Sequence, residues 1–186
     1  MGYIYTQTDY TVSERLWLGP SEEQSINQSV VFKRNFQLNA INLLFGEITF
    51  DPIEDLKFRI EVRRPYGSGK YLDLDSEIID YSNWVNDDNL LNYSYVQFVF
   101  NQNLFNAGTY YFSLVSNMRV KYPINLALKI NGYFQGYFVK IENGTGIYRH
   151  DWSIVFKIDG IWGFPIRPIF VHETNKYTET IIRDKS

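Results

Sequence analysis

The chain has 186 residues, no cysteine and a net charge of −3 that arises from 21 acidic and 18 basic residues. This length suits one domain, which buries roughly 70% of the surface of its unfolded chain. The missing cysteines exclude disulfides and thiolate metal sites. The mixed charge argues against a nucleic-acid partner, because such proteins concentrate Lys and Arg on one surface.

The composition favours strands. Aromatic residues make up 18% of the chain, with 15 Tyr and 14 Phe, and such side chains fit the pleated, half-buried surface of a sheet. No apolar run approaches the 18 residues that a membrane span requires, so we expect no membrane partner.

The first 26 residues are polar and show neither a period of two nor one of 3.6. This pattern predicts an N-terminal arm, residues 1–26. Polar termini are ordered only when something holds them. The arm is therefore expected to lie along its own domain or to be held by a neighbouring subunit.

Residues 27–163 contain about eight or nine segments in which apolar and polar side chains alternate, as they do in strands with one buried face. The two central ones, 95–100 and 110–115, are separated by a turn-forming stretch rich in Asn and Gly. A change of phase at Ala40 or Ile41 predicts a bulge, and Asn131-Gly132 and Asn143-Gly144 predict tight turns. The segments are 29–36, 36–45, 56–63, 71–79, 95–100, 110–115, 124–130, 137–141 and 152–158.

Two packed antiparallel sheets bury this many one-sided strands, because parallel pairing would need helical crossovers that the sequence lacks. The predicted fold is an all-β, antiparallel, jelly-roll-like sandwich. After residue 163, two prolines and a charged stretch predict a C-terminal arm, residues 164–186.

No residue is predicted to be catalytic or to bind a cofactor or a metal. His150 and His172 lack the spacing of a zinc site. Asp73, Asp75, Glu77 and Asp80 offer oxygen ligands for calcium. The first three share one strand face because they alternate with Leu72, Leu74 and Ser76, so a solvated strand face explains them better. Residues 67–70 (GSGK) lack the helix that must follow a phosphate loop.

Aromatic residues near predicted loops are candidates for a platform on which a sugar ring stacks. The same residues have a plainer explanation, since Tyr and Trp also fill cores and subunit contacts. The candidates for this glycan platform are Trp84, Tyr133, Tyr137 and Tyr148.

The stretch YVQFVFNQNLFNAGTYYFSL resembles a recurring segment of jelly-roll accessory modules in bacteriophage tail, fibre and capsid proteins, which also occur in bacterial surface and carbohydrate-binding proteins. FQLNAINLLF, LKFRIEVRRPYGSGKYL and DWSIVFKIDG match other strands of that module in order. The resemblance covers about residues 31–163 and implies a non-enzymatic module of a virion.

We therefore expect a structural protein of a bacteriophage virion, either capsid-decorating or tail-associated, assembled in the host cytoplasm without a cofactor. Its expected partners are other virion proteins and further copies of itself. The alternative is a carbohydrate-binding module that attaches to a host surface glycan. A further alternative, a glycanase, predicts two carboxylates about 5 to 9.5 Å apart across a cleft.

Overall fold

The computed structural model describes residues 2–8, 10–20, 23–47, 55–65, 76–86, 90, 93–120, 123–130 and 136–163. This part of the chain forms strands and no helix, as the sequence predicts. The strands are β1 (Gly2–Gln7), β2 (Val12–Leu16), β3 (Gln24–Phe32), β4 (Phe36–Leu44), β5 (Lys57–Arg63), β6 (Ile78–Tyr81), β7 (Val85–Asn86), β8 (Tyr95–Val99), β9 (Leu104–Phe105), β10 (Gly108–Ser116), β11 (Ile124–Ile130), β12 (Phe138–Glu142), β13 (Thr145–Arg149), β14 (Trp152–Ile154) and β15 (Phe156–Trp162).

The strands form three antiparallel sheets. A five-stranded sheet has the order β1-β15-β4-β8, with β9 beside β4. A seven-stranded sheet has the order β13-β12-β3-β10-β5-β6, with β7 beside β5, and a smaller sheet has the order β14-β11-β2. Side chains from the two larger sheets share one hydrophobic core, so the predicted β-sandwich is confirmed. The finer jelly-roll order of strands stays a prediction.

The central alternating stretch provides much of this core. Val96, Phe98 and Phe100 are buried, whereas Tyr95 and Val99 are exposed, as the period of two predicts. β8 belongs to the five-stranded sheet and β10 to the seven-stranded sheet. The Asn- and Gly-rich linker therefore carries the chain from one layer of the sandwich to the other.

Stacked aromatic rings fill one region of the core. The ring centroids of Phe32 and Phe36 lie 3.8 Å apart, and those of Phe36 and Phe105 lie 5.2 Å apart. Tyr110 packs edge-on against all three rings. Large, rigid rings bury much apolar area each, which explains how a chain rich in Phe and Tyr fills its interior.

β4 and β15 contain the predicted bulge, one or two residues earlier than expected. Ala40 pairs with Asp159 and Leu38 pairs with Gly160, so Asn39 has no partner in the register. A Cβ atom at Gly160 would lie 2.3 Å from the backbone oxygen of Gln37. Only glycine fits at this point of the bulge.

The predicted strand 152–158 is divided in two. β14 pairs with β11 in the three-stranded sheet, whereas β15 pairs with β1 and β4 in the five-stranded sheet. At the division, the backbone N–H of Val155 donates to the oxygen of Ala127, and the N–H of Leu44 donates to the oxygen of Val155. The alternation continues across the division, which is why the sequence pattern predicts one strand.

The β12–β13 hairpin turns at Asn143 and Gly144, which have φ angles of 48° and 74°. Both angles lie in the left-handed region, and an Asn-Gly turn of this kind is the one the sequence predicts. The other predicted turn, Asn131-Gly132, lies outside the described residues.

The N-terminal segment lies along its own domain, which is the first of the two arrangements expected for an arm. β1 pairs with β15, β2 pairs with β11, and β3 already begins at Gln24. The structure has more strands than the predicted eight or nine. The additional ones are β1 and β2 and several short strands of two to four residues. The predicted C-terminal arm, residues 164–186, lies outside the described residues.

In the part of the chain that the structure describes, no helix is long and apolar enough to cross a membrane.

Candidate binding surfaces

A row of six side chains crosses the outer face of the seven-stranded sheet. Each is the register partner of the next on the adjacent strand. Because neighbouring strands lie about 4.8 Å apart, the row is about 24 Å long. We name it the transverse row, and its members from β13 to β6 are Tyr148, Val139, Asn27, Ser113, Glu61 and Tyr81.

The middle of the transverse row is polar and buried. Asn27 and Ser113 are 0% exposed, and Glu61 is 3% exposed. The amide nitrogen of Asn27 donates to the hydroxyl of Ser25 at 3.0 Å and to the backbone oxygen of Val139 at 3.1 Å. Within the described residues, Asn27 Oδ1 and Ser113 Oγ have no hydrogen-bond partner.

Two arginines hold the carboxylate of Glu61. Arg59 donates to Oε1 through Nε and Nη2, at 3.2 and 2.7 Å, and Arg63 Nη2 donates to Oε2 at 3.1 Å. Arg63 Nη1 also donates to the backbone oxygen of Ser76 at 2.9 Å. A buried carboxylate is tolerated because these charge-assisted bonds replace its hydration.

The guanidinium of Arg59 contacts two exposed rings at one end of the transverse row. Its central carbon lies 4.9 Å from the ring centre of Tyr81 and 4.5 Å from that of Trp84, within the range of cation–π attraction. Tyr81 is 53% exposed and Trp84 is 42% exposed. We call Tyr81 and Trp84 the ring pair.

The other described platform candidates lie at the opposite end of the sheet. Tyr137 and Tyr148 are half-buried and pack against a small apolar cluster that contains Tyr111. The ring of Tyr137 also meets that of His150 edge-on at 4.6 Å. The structure brings Tyr137 and Tyr148 together but separates them from Trp84, and Tyr133 lies outside the described residues.

Sequence reasoning did not identify Tyr81, Arg59 and Glu61 as neighbours of Trp84. The alternation in β5 places Arg59 and Glu61 on one face. Their approach to Tyr81 and Trp84 depends on the pairing of β5 with β6 and β7, which are 15 or more residues further along the chain. No local pattern specifies that pairing.

The N-terminal strand β1 docks at the edge of the five-stranded sheet. The ring of Tyr5 stacks on that of Phe156, with centroids 5.5 Å apart and an interplanar angle of 4°. Ile4 covers Gly160, where its Cδ1 lies 3.0 Å from the position that a Cβ atom would take. Burial raises the pKa of Tyr5 from 10.0 to about 12, because the phenolate would lose hydration there.

The outer face of the five-stranded sheet exposes several large apolar side chains. The ammonium of Lys157 lies 4.1 Å from the ring centre of Tyr95 and 5.4 Å from that of Tyr3. A face of this kind favours contact with another protein. The exposed apolar side chains on these strands include Tyr3, Tyr95, Val99, Leu104 and Ile161.

A cavity between the two larger sheets is lined by Gln28 and apolar side chains, and no carboxylate lines it. The amide of Gln28 is fully engaged, since Nε2 donates to the backbone oxygens of Ser29 and Tyr137 and Oε1 accepts from the N–H of Ile154. This cavity lacks the carboxylate pair that a glycanase requires.

Across the described ranges, no group of three or more His, Asp or Glu side chains is placed to hold a metal ion. Asp73, Asp75, residues 67–70 and His172 lie outside those ranges. Glu77 is exposed, whereas Asp80 is buried and its Oδ1 accepts the N–H of Tyr81 at 2.8 Å.

No protein-family model, no curated protein and no solved structure matches this chain.

Proposed function

We propose that this protein is a non-enzymatic structural component of a bacteriophage virion, capsid-decorating or tail-associated, whose copies assemble by exchanging the N-terminal strand. The observation that carries the proposal is the docking of β1. Its backbone pairs with the edge of β15, and its side chains Ile4 and Tyr5 cover Gly160 and Phe156.

A neighbouring copy can supply the same strand. β1 lies at the edge of the five-stranded sheet, with β15 as its neighbour in the strand order. When identical copies exchange such an element, each contact within one chain is replaced by the same contact between two chains. Exchange therefore joins copies without requiring any new interface chemistry.

The connection between β1 and β2 limits where the neighbour lies. Only residues 8–11 separate the two strands, and the five residue steps from Gln7 to Val12 span at most about 18 Å. Copies joined in this way must sit against each other, as the subunits of a virion surface do.

Two further features support a structural role. The exposed apolar side chains of the five-stranded sheet favour protein–protein contact. The stretch that resembles phage modules forms β8, β9 and β10, and Phe98, Phe112 and Leu114 from it lie in the core. The resemblance thus concerns residues that build the sandwich.

The test is the molar mass of the intact protein, measured by light scattering over a range of concentrations. We expect a mass above that of one copy that rises with concentration, and the mass of one copy at every concentration for a variant that lacks residues 1–7, which has no β1 to exchange. Tyr3→Ala is the matched control, because Tyr3 is an exposed ring on the same strand. A single-copy mass for the unmodified protein at every concentration would overturn the proposal.

A further inference from the structure

We infer that the ring pair, with Arg59 and Glu61 beneath it, is a carbohydrate-binding site. This activity goes beyond the proposed assembly through β1 and does not depend on it. The site lies on the outer face of the seven-stranded sheet, whereas β1 docks on the other large sheet.

The two rings supply the apolar part of the site. Tyr81 and Trp84 are exposed, although aromatic side chains of this size are usually buried. The apolar C–H face of a sugar ring stacks on an aromatic plane and removes it from water. Two such planes next to one guanidinium can contact one sugar ring or two successive rings.

The rings are held in place before a ligand arrives. Arg59 contacts both rings, and its own position is fixed by two hydrogen bonds to Glu61. Arg63 in turn anchors Glu61. Little side-chain freedom remains to be lost on binding, and a preorganised site binds more tightly for that reason.

The polar middle of the transverse row lies beside the ring pair but is closed to a ligand. Ser113 is the register partner of Glu61 on one side and of Asn27 on the other. Asn27 Oδ1 and Ser113 Oγ are buried without partners among the described residues, and such atoms cost free energy until a hydrogen bond satisfies them. Because Asn27 and Ser113 are both 0% exposed, a ligand on the outer face reaches the ring pair and Arg59 but not these atoms.

The polar groups favour hydroxyls over anions. The charge of Arg59 is already matched by the carboxylate of Glu61, which repels a phosphate or a sulfate, whereas a sugar hydroxyl accepts a hydrogen bond from Arg59 without adding charge. A peptide could stack a proline or an aromatic residue on the ring pair, but it offers few hydroxyls to Arg59.

The test begins with the full-length protein on an array of immobilised mono- and oligosaccharides, followed by titration calorimetry with any sugar that binds. We expect binding to at least one sugar class. Trp84→Ala and Tyr81→Ala should each weaken it about tenfold or more, which corresponds to about 1.4 kcal/mol. Tyr93→Ala is the matched control, because Tyr93 is an exposed ring outside the transverse row, and it should bind like the unmodified protein.

Arg59→Lys tests whether Arg59 supports binding by holding the ring pair in position or only by its positive charge. Lysine keeps the positive charge but lacks the planar fork that contacts both rings and bonds Glu61, so we expect weaker binding and, because the buried Glu61 loses hydrogen bonding, a lower melting temperature. The inference fails if no sugar on the array binds, if a bound sugar is retained by both Trp84→Ala and Tyr81→Ala, or if Tyr93→Ala loses binding equally. None of these outcomes changes the molar mass expected for strand exchange.

Discussion

Asn27 of β3 and Ser113 of β10 are register partners, and each buries a side-chain oxygen without a hydrogen-bond partner among the described residues. The large majority of buried side-chain polar atoms in folded proteins are paired. These two are among eight such atoms in the described residues, and each of them reduces stability.

Replacing Ser113 with alanine should leave the free energy of unfolding unchanged or raise it by about 1 kcal/mol, because the change removes an unsatisfied hydroxyl. Ser116 on the same strand is the matched control. It is equally buried, but its hydroxyl donates to the backbone oxygen of Met118 at 2.6 Å, so Ser116→Ala should lower that free energy by about 1 kcal/mol. Urea denaturation measures both. A loss at Ser113 as large as at Ser116 would show that its hydroxyl is bonded.

Gly160→Ala should lower the free energy of unfolding by about 1–3 kcal/mol, because the added methyl group overlaps the backbone oxygen of Gln37 and presses on Ile4. In Gly2→Ala the added atom meets nothing within 4 Å, so this change should have little effect. Thermal unfolding of the two variants compares them directly. Equal melting temperatures would mean that β4 and β15 are not in the register described.

Tyr5 should make stability fall at alkaline pH. Its pKa is about 12 in the folded protein and 10.0 without burial, so between these values the unfolded chain releases a proton that the folded chain retains. The stabilisation is fully present below pH 10 and is lost as the pH rises through 12. Urea denaturation at pH 9 and pH 11 should therefore show a larger loss for the unmodified protein than for Tyr5→Phe. An identical loss would contradict the burial of Tyr5.

Phe98→Ala should lower the free energy of unfolding by about 3–5 kcal/mol, because Phe98 is fully buried in the core. The neighbouring Val99 points to the opposite, exposed face of β8, so Val99→Ala should change it by no more than about 0.5 kcal/mol. Denaturant titration of the two variants tests the alternation on which the sandwich depends. Similar losses at both positions would contradict it.

The sequence predicts the sandwich because its signal is local. The alternation that places Phe98 inside and Val99 outside can be read without knowing which strands are neighbours. The bulge near Ala40 and the turn at Asn143 also follow from local chemistry, and both are confirmed.

The surfaces depend on pairings between distant segments, which the sequence does not specify. The alternation of β5 predicts a polar face that includes Arg59 and Glu61, but it does not predict that Glu61 is buried or that Tyr81 and Trp84 lie over Arg59. The docking of Tyr5 on Phe156 likewise joins residues about 150 positions apart. Polar segments without a period, such as residues 1–26, give no indication of which edge they join.

The most direct test of assembly through β1 uses two single-cysteine variants, Thr6→Cys and Lys157→Cys, because the chain has no cysteine of its own. These positions are register partners on β1 and β15, and partners in antiparallel strands have Cα atoms about 4.5–5.5 Å apart, within the range of a disulfide. The two variants, one of them isotope-labelled, are unfolded together, refolded and oxidised, and the products are analysed by mass spectrometry.

Strand exchange predicts a disulfide between one labelled and one unlabelled chain that joins positions 6 and 157. The control is a variant that carries both Thr6→Cys and Lys157→Cys in one chain. This double variant should form the same bond within one chain wherever β1 remains on its own domain. If the double variant closes its internal disulfide while the mixed single variants form no linked pair, β1 does not exchange between copies, and the proposed mode of assembly is contradicted.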